Sequence, residues 1–408
     1  AFDPGSDQPA PPVVNTAEQI ERGAYLARAG NCMGCHSARG GQSYAGGRAI
    51  PTPFGSIYAS NITPDTETGI GSWTSQDFWR AIHNGKSKDG HFLYPAFPYP
   101  NYTKLSRADA DALFAFFKTV PPVRLENKEQ KLRFPYNQRM LLAFWRTLYF
   151  TPGEFATEAK QSPQWNRGAY LVQGLGHCAA CHTARNALGG TLTGADLAGG
   201  MIPMLDWYAS SLTPDAENGL GTWEAKDIAD LLKSGISERG AVFGPMAEVV
   251  KGSLQHLSQS DIDAMVTYLK TGNGKSNSGY VKQAAAPSAA QEATLKQGAK
   301  LYEQHCAACH QADGKGIPPA YPSLAGKAPV AHHSALNPPG NQIRIVLNGG
   351  YPPSTAGNPR PYGMPAFSPM MNDDEVAAVI SYIRTSWNNN GTLVSPVEVR
   401  RFRGVPVD

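Results

Sequence analysis

The motif Cys32-Met33-Gly34-Cys35-His36 returns twice along the chain, as Cys178-Ala179-Ala180-Cys181-His182 and as Cys306-Ala307-Ala308-Cys309-His310. Its three copies use all six cysteines of the 408-residue sequence. Two thiols at this spacing, at the start of a helix, both reach the vinyl carbons of one porphyrin, and the adjoining histidine then lies beneath the iron. The motifs therefore predict three covalently bound haem c groups. The predicted attachment and proximal residues are Cys32, Cys35, His36, Cys178, Cys181, His182, Cys306, Cys309 and His310.

The competing interpretations of these cysteines are a thioredoxin-like redox pair, a zinc site and disulfides. A redox pair would occur once, in a βαβ context, and would not need the histidine. A zinc site would need further cysteine or histidine ligands at matching spacings, and the sequence lacks them. Covalent haem attachment normally takes place outside the cytoplasm, so we expect the protein in the periplasm or on the outer face of a membrane. The absence of spare cysteines agrees with a protein that needs no disulfides there.

Length and composition indicate several globular domains, because 408 residues are too many for one small haem domain. The formal charge of +3 falls to roughly zero when each ferric haem with two propionates adds about −1, so no nucleic-acid partner is expected. No apolar run is long enough for a membrane-spanning helix. Residues 1–14 are expected to be a mature N-terminus left by cleavage of a signal peptide.

The motif copies belong to an internal repeat. Arg22-Gly23-Ala24-Tyr25-Leu26 precedes the first motif, Arg167-Gly168-Ala169-Tyr170-Leu171 the second and Gly298-Ala299-Lys300-Leu301-Tyr302 the third. These segments are expected to form N-terminal helices whose aromatic residue packs on the C-terminal helix of the same domain. The first two repeats are the most alike, because Thr63-Pro64-Asp65 of the first returns as Thr213-Pro214-Asp215 in the second.

Each repeat ends with a predicted helix that opens on a capping pair. The pairs are Ser106 with Asp109, Ser258 with Asp261 and Asn372 with Glu375. Apolar residues then recur three and four positions apart, as in a helix with one face in a core, and no alternating strand pattern stands out. The predicted fold class is mainly α, with extensive loops. The predicted segments are haem domains at residues 15–120, 165–272 and 294–390, a packed connector at 121–164, a flexible linker at 273–293 and a basic C-terminal tail at 391–408.

The two joints differ in composition. Residues 273–293 are rich in Gly, Ser, Asn, Ala and Pro, which is typical of a flexible linker that leaves the third domain free in principle. The connector instead contains large apolar residues at 140–145 and 148–150. It either packs between two haem domains and fixes their geometry, or presents an aromatic surface that docks a partner subunit or a membrane interface.

An electron-transfer haem usually has a second axial ligand, commonly a methionine in the loop before the last helix. The third domain offers Met364 within Gly363-Met364-Pro365, and the second offers Met246 within Gly244-Pro245-Met246. Met370 and Met371 lie almost at the helix cap and are expected to pack in the core instead. Met246 and Met364 are therefore the predicted distal iron ligands of the second and third haems.

The first domain has Phe97 where a methionine is expected, and phenylalanine cannot ligate iron. His83 is the predicted distal ligand, because the helix that ends there lines the distal side in small haem domains. His91 and an open iron are the alternatives. Since imidazole in place of a thioether lowers the reduction potential, we expect the first haem to be the lowest-potential centre.

With the motifs placed, the sequence from Arg22 to about Trp387 resembles the triheme cytochrome c subunits of bacterial periplasmic or membrane-associated dehydrogenases for alcohols, aldehydes, fructose, gluconate or glucose. The resemblance implies three tandem class-I-like cytochrome c domains that receive electrons from a catalytic subunit. That subunit would carry flavin, pyrroloquinoline quinone or molybdopterin. The final acceptor would be ubiquinone or a soluble redox protein.

Two features depart from this family. Members often carry methionine at the position of Phe97, so the distal ligand of the first haem does not carry over. Many also end in a hydrophobic anchor, whereas the tail here is short and basic, with Arg400, Arg401 and Arg403. The tail is expected to be solvated or clamped on a partner, and any membrane contact to be peripheral.

The leading functional hypothesis is an electron-relay subunit, since the haems carry the electrons while the protein tunes and spaces them. No phosphate-binding glycine loop or nucleophile elbow is present in the sequence. A stand-alone carrier is the second hypothesis. The third is a haem enzyme that reduces a small molecule at an open iron in the first domain.

Overall fold

The computed structural model describes residues 16–216, 218–272, 288–325 and 338–404. Its helices are α1 Ala17–Ala29, α2 Cys32–His36, α3 Ser75–Asn84, α4 Tyr99–Tyr102, α5 Arg107–Phe117, α6 Leu141–Tyr149, α7 Pro163–Tyr170, α8 Ala179–His182, α9 Ala225–Ser234, α10 Pro245–Gly252, α11 Gln259–Thr271, α12 Ala289–His305, α13 Ala307–His310, α14 Gly340–Asn348, α15 Asp373–Thr385 and α16 Pro396–Arg403. Its strands are β1 Ala49–Thr52, β2 Gly55–Tyr58, β3 Lys131–Leu132, β4 Gly200–Ile202, β5 Trp207–Ala209, β6 Ile236–Ser237 and β7 Gly240–Ala241. The strands are short, so the mainly α fold class is confirmed.

Each repeat is built on one crossed pair of helices, α1 with α5, α7 with α11 and α12 with α15. The first helix of each pair presents a glycine, so the two helices approach until a side chain would no longer fit between them. A Cβ atom added there would meet a backbone oxygen of the second helix at about 2 Å: Gly23 meets Ala112 (1.9 Å), Gly168 meets Ala264 (1.9 Å) and Gly298 meets Ala378 (2.1 Å). The repeated glycine therefore determines how closely the helices cross.

The aromatic residues near these glycines do not all pack as expected. Tyr302 does contact the C-terminal helix of its own domain, with its ring 5.6 Å from that of Tyr382. Tyr25 and Tyr170 instead donate hydrogen bonds to the other domain, as described below. The reason is spacing: Tyr302 lies four residues after its glycine, on the same helix face, whereas Tyr25 and Tyr170 lie two residues after theirs, on the opposite face.

The first two domains are joined by a reciprocal pair of contacts, which we call the clasp. In one half, Asp109 pairs with Arg22 (Nη2–Oδ1 2.5 Å) and accepts a hydrogen bond from the hydroxyl of Tyr170 (2.6 Å). In the other half, Asp261 pairs with Arg167 (Nη2–Oδ2 2.8 Å) and accepts a hydrogen bond from the hydroxyl of Tyr25 (2.6 Å). Each aspartate thus holds an arginine of its own domain and a tyrosine of the other. A single apolar core runs through both domains, so they form one packed unit.

The connector packs against both domains. Strand β3 extends the β1–β2 sheet of the first domain, and Arg146 donates to the backbone oxygen of Asn84 at 2.5 Å. Trp145 Nε1 donates to the backbone oxygen of Leu188 in the second domain at 2.9 Å. Only Leu142 is buried within α6, however, and the helix keeps a large apolar surface. The connector is therefore packed between the first two domains along part of its length, while other apolar residues of α6 stay exposed.

The third domain has its own core and contacts the second domain through specific hydrogen bonds. Tyr208 and Asn341 exchange two bonds of 2.8 Å, and Thr355 donates to the backbone oxygen of Ser234 at 2.9 Å. Of the predicted linker, residues 273–287 lie outside the described part of the chain. Its last residues open α12, where Ser288 and Gln291 form a capping box.

The basic tail folds back onto the third domain as α16. Arg400 and Arg403 pair with Asp373 at the start of α15, and Phe402 is buried. Arg401 lies 3.7 Å from Asp206 of the second domain. Within the described residues, the tail is therefore a structural element of the chain and not a solvated extension.

Candidate haem sites

The three motifs lie on short helices that follow the first helix of each domain. Helix α2 contains the whole first motif, and α8 and α13 contain the last four residues of the second and third. In the first two domains a left-handed residue precedes the motif, Asn31 with φ 49° and His177 with φ 39°. This conformation ends the preceding helical turn and starts the motif in a new direction.

Each motif histidine is held in the same way by a backbone carbonyl. The Nδ1 atoms of His36, His182 and His310 lie 2.7, 2.6 and 2.9 Å from the carbonyl oxygens of Ser60, Ser210 and Pro322. An Nδ1–H that donates to a carbonyl leaves Nε2 with its lone pair, the form in which histidine binds a metal. Burial lowers the pKa of all three imidazoles, which favours this neutral form.

The carbonyl acceptors are functional groups that sequence reasoning missed. Ser60 and Ser210 each lie three residues before the repeated Thr-Pro-Asp at Thr63 and Thr213. The repeat itself was therefore the available signal, since a segment shared by two haem domains can hold the histidine in both. Pro322 lies in a segment of the third domain with no such repeat.

A cavity of about 2130 Å³ opens at the first motif and extends to Cys181 of the second. Its lining includes Cys32, Cys35 and His36 from the first domain and Cys181 and Arg185 from the second. Burial raises the pKa of the Cys181 thiol, and Cys35 across the domain boundary adds to the rise. The two motifs therefore lie side by side, an arrangement that the sequence did not predict.

His83, the predicted distal ligand of the first haem, does not line the cavity at the first motif. Phe78, Ala81 and Ile82 of α3 line the cavity, whereas His83 is not among the lining residues. His83 is 4% exposed and stacks on Trp79 with ring centres 4.3 Å apart. Both residues lie on the side of α3 that does not line the cavity. A helix turns about 100° per residue, so a face centred on Phe78 and Ile82 cannot also present His83. This orientation argues against His83 as the iron ligand.

His91, the alternative histidine, does line the cavity together with Phe97. Its Nδ1 atom lies 2.5 Å from a carboxylate oxygen of Asp89. That contact leaves Nε2 for a metal, in the same way as the carbonyls leave Nε2 of the motif histidines.

Each of the two predicted methionine ligands packs against a hydrophobic core. Met246 is in the first turn of α10 and packs against the shared core of the first two domains. The backbone of Met364 exchanges two hydrogen bonds with Gly350, of 2.8 and 3.0 Å, and the residue packs against the core of the third domain. Met371 is buried, as expected, but Met370 is exposed.

The residues present fit covalently bound haem. Two thiols and a histidine whose Nδ1 lies against a carbonyl oxygen recur together, and a largely apolar cavity opens at the first motif and reaches Cys181 of the second. A family model for cytochrome c matches residues 20–121, 166–273 and 295–387. The chain belongs to the cytochrome c family. As a cytochrome c with three such domains, it carries three covalently bound haem c groups and transfers electrons.

Several relatives of this cytochrome c are similar over nearly its whole length. The gluconate 2-dehydrogenase cytochrome c subunit of Pantoea cypripedii is 42% identical over 382 residues, covering 91% of this chain and 86% of the relative. The cytochrome c subunit of alcohol dehydrogenase (quinone) of Gluconobacter oxydans is 40% identical, and the match covers 95% of this chain and 83% of the relative. The fructose dehydrogenase cytochrome subunit of Gluconobacter japonicus is 37% identical, and the match covers 97% of this chain and 85% of the relative. The resemblance to dehydrogenase cytochrome subunits is confirmed.

Within the described residues of this cytochrome c, no helix combines the length and the apolar character needed to cross a bilayer.

Proposed function

We propose that this cytochrome c is the electron-relay subunit of a dehydrogenase. It takes electrons from a catalytic subunit that carries flavin, pyrroloquinoline quinone or molybdopterin, and passes them to ubiquinone or to a soluble redox protein. The observation that carries this proposal is the similarity, over more than nine tenths of the chain, to cytochrome subunits of gluconate and alcohol dehydrogenases. The name of the second relative includes a quinone, which favours a quinone acceptor here.

The location that accompanies this function is the periplasm, with a peripheral position on the outer face of the inner membrane. Covalent haem attachment outside the cytoplasm supports it.

The chain's own residues hold and orient the haems, which supply one-electron chemistry when bound. The paired cysteines of each motif form the thioether links, and His36, His182 and His310 bind the iron through Nε2. Their Nδ1 bonds to carbonyl oxygens fix the ring orientation and increase the basicity of the ligating nitrogen. Met246 and Met364 are the distal ligands of the second and third haems.

For the first haem, His91 replaces His83 as the distal ligand. His91 lies in the cavity wall, and Asp89 holds its Nδ1 side. Its imidazole would give this haem two nitrogen ligands, and hence the lowest reduction potential of the three.

The relay function is tested by isolating the tagged holoprotein from its native host. We expect a larger catalytic subunit to co-purify, and anaerobic addition of that enzyme's substrate to reduce the haems. Removing the catalytic subunit with salt is the control, because reduction should then stop. Recovery of the chain alone, with haems that no substrate of the extract reduces, would instead favour a stand-alone carrier.

The distal ligand of the first haem is tested with His91→Ala and its matched control His83→Ala. We expect His91→Ala to convert one haem to a high-spin form that binds carbon monoxide, while His83→Ala leaves the spin state unchanged. The reverse result would restore His83 as the ligand. Binding of carbon monoxide to one haem of the unaltered protein would show an open iron and favour the haem-enzyme hypothesis.

A further inference from the structure

Arg185 follows the second haem motif closely in the sequence and lies at the boundary between the first two domains. Its Nη2 donates to the backbone oxygen of Ala180, inside the motif, at 3.0 Å, and its Nη1 donates to that of Gly189 at 2.8 Å. The side chain is half-buried and lines the cavity that reaches Cys181. Two hydrogen bonds therefore hold a guanidinium against the backbone of a haem attachment site.

The positive charge of Arg185 has no compensating anion. Both hydrogen-bond acceptors are neutral carbonyl oxygens, and within the described ranges no carboxylate forms an ion pair with this guanidinium. Burial lowers the pKa of Arg185, but a guanidinium keeps its proton at neutral pH. The propionates of a haem are on the edge of the porphyrin opposite the vinyl carbons that bind the cysteines, so they do not neutralise a charge at Cys181 either.

The first motif has an arginine in the equivalent place, but that arginine has an acidic partner. Arg48 Nη1 donates at 2.6 Å to the backbone oxygen of Gly34, the residue just before the second cysteine of the motif. Arg48 Nη2 also pairs with Glu248 of α10 at 2.9 Å. Arg185 contacts the same carbonyl of its own motif without such a partner. The two guanidinium groups therefore occupy equivalent places with different local net charge.

These charges act on the sulfur atoms that the thioether bonds use. Burial raises the pKa of the Cys181 thiol, and the charge of Arg185 lowers it. Burial likewise raises the pKa of the Cys35 thiol, which Arg48 lowers and Glu248 raises. The first attachment site is therefore exposed to two opposed charges. The second is exposed to one uncompensated cation.

We infer that Arg185 raises the reduction potential of the second haem and so favours the electron on that member of the adjacent pair. Reduction adds one electron to the haem, and an uncompensated cation nearby stabilises the reduced form. At an effective dielectric constant of about 20, a unit charge roughly 10 Å from the iron changes this equilibrium by about tenfold. The inference rests on the haem attachment sites and does not depend on which enzyme reduces the haems.

The test is spectroelectrochemical titration of the full-length holoprotein, which measures the three one-electron midpoint potentials. In Arg185→Gln an amide can still donate to a carbonyl, but the charge is gone. We expect one of the three reduction equilibria to become less favourable by about tenfold, which is about 59 mV for a one-electron couple. Arg185→Lys keeps the charge and loses the forked guanidinium, so its potentials should match those of the unaltered protein. Unchanged Soret and far-ultraviolet spectra would show that the variants fold and bind haem.

Glu248→Gln provides a second measurement of the same effect at the first motif. This change removes the acidic partner of Arg48 and leaves an uncompensated guanidinium against the Gly34 carbonyl. We expect one reduction equilibrium to become more favourable by up to about tenfold, in the direction opposite to that of Arg185→Gln.

The matched control is Arg28→Gln, which removes one positive charge four residues before Cys32, just as Arg185 lies four residues after Cys181. Arg28 is exposed in the last turn of α1 and does not line the cavity, so water and salt screen its charge. All three potentials should stay unchanged in this control. Unchanged potentials in both Arg185→Gln and Glu248→Gln would overturn the proposal. So would a shift in Arg185→Lys or in the control as large as that in Arg185→Gln, because the positive charge at the motif would then not be its cause.

Discussion

Removing the two tyrosine hydroxyls of the clasp should weaken the association of the first two domains. In Tyr25→Phe and Tyr170→Phe, each aromatic ring stays while the 2.6 Å hydrogen bond from the hydroxyl to a buried carboxylate disappears. A hydrogen bond to a charged group contributes about 1.5–3 kcal/mol to stability. For a folding unit of this size, about 2 kcal/mol lowers the melting temperature by about 4–8 °C.

Each aspartate should keep its arginine partner in these variants, so the helices of each domain remain paired. The loss should therefore fall on the contact between the domains. The assay is thermal unfolding of the holoprotein, followed by far-ultraviolet circular dichroism and by Soret absorption. The double variant reveals whether the two halves of the clasp are coupled, because independent bonds would lose stability additively.

Tyr382→Phe in the third domain is the matched control, since no hydrogen bond of its hydroxyl occurs within the described residues and its ring only packs. We expect its melting temperature to stay within about 1 °C of that of the unaltered protein. If both clasp variants also stay within that margin, or if the control loses as much stability as they do, the tyrosine hydroxyls do not hold the two domains together.

Three further perturbations test other parts of the structure. Gly298→Ala places a Cβ atom 2.1 Å from the Ala378 oxygen and should cost about 3 kcal/mol by chemical denaturation, whereas Gly404→Ala, with open space around it, should be neutral. Phe97→Met places a thioether in the first haem domain. The thioether-to-iron charge-transfer band, to which the second and third haems already contribute, should become stronger, and the potential of the first haem should rise within the ~0.8 V range of axial ligands. An unchanged redox titration would contradict this expectation. Burial raises the pKa of Asp261, but hydrogen bonds from Arg167 and Tyr25 outweigh it and hold the pKa below its usual value of 3.8. The carboxylate therefore stabilises the fold above that pH and loses its effect as the pH falls through the lower folded-state pKa, so melting temperatures of Asp261→Asn should depend less on pH in the acid range.

Several properties of this protein follow from short-range sequence patterns. The two thiols and the histidine of each motif are within five residues of one another, so one helical turn brings them together whatever surrounds it. The capping pairs of the closing helices are equally local, and Ser106, Ser258 and Asn372 all cap the helices predicted for them. Cofactor, haem number and the mainly α class were therefore predictable from the sequence.

The direction of side chains on a packed helix was not predictable in the same way. The position of His83 near the end of α3 predicts an iron ligand, but the apolar residues of that helix face the cavity and His83 stacks on Trp79 instead. Tyr25 and Tyr170 were expected to pack within their own domains, and each reaches the other domain. These outcomes depend on which helix face a neighbour occupies, and the neighbour lies far away in the sequence.

The sequence alone thus determined the haem chemistry, because covalent attachment and proximal ligation are carried out by residues that are close in the chain. Tertiary structure alone decided that Cys35 and Cys181 share a cavity and that the carbonyls of Ser60 and Ser210 hold the motif histidines. These features arise from contacts between segments separated by 24 to 146 residues. No local pattern encodes them, since they depend on how whole helices and domains pack.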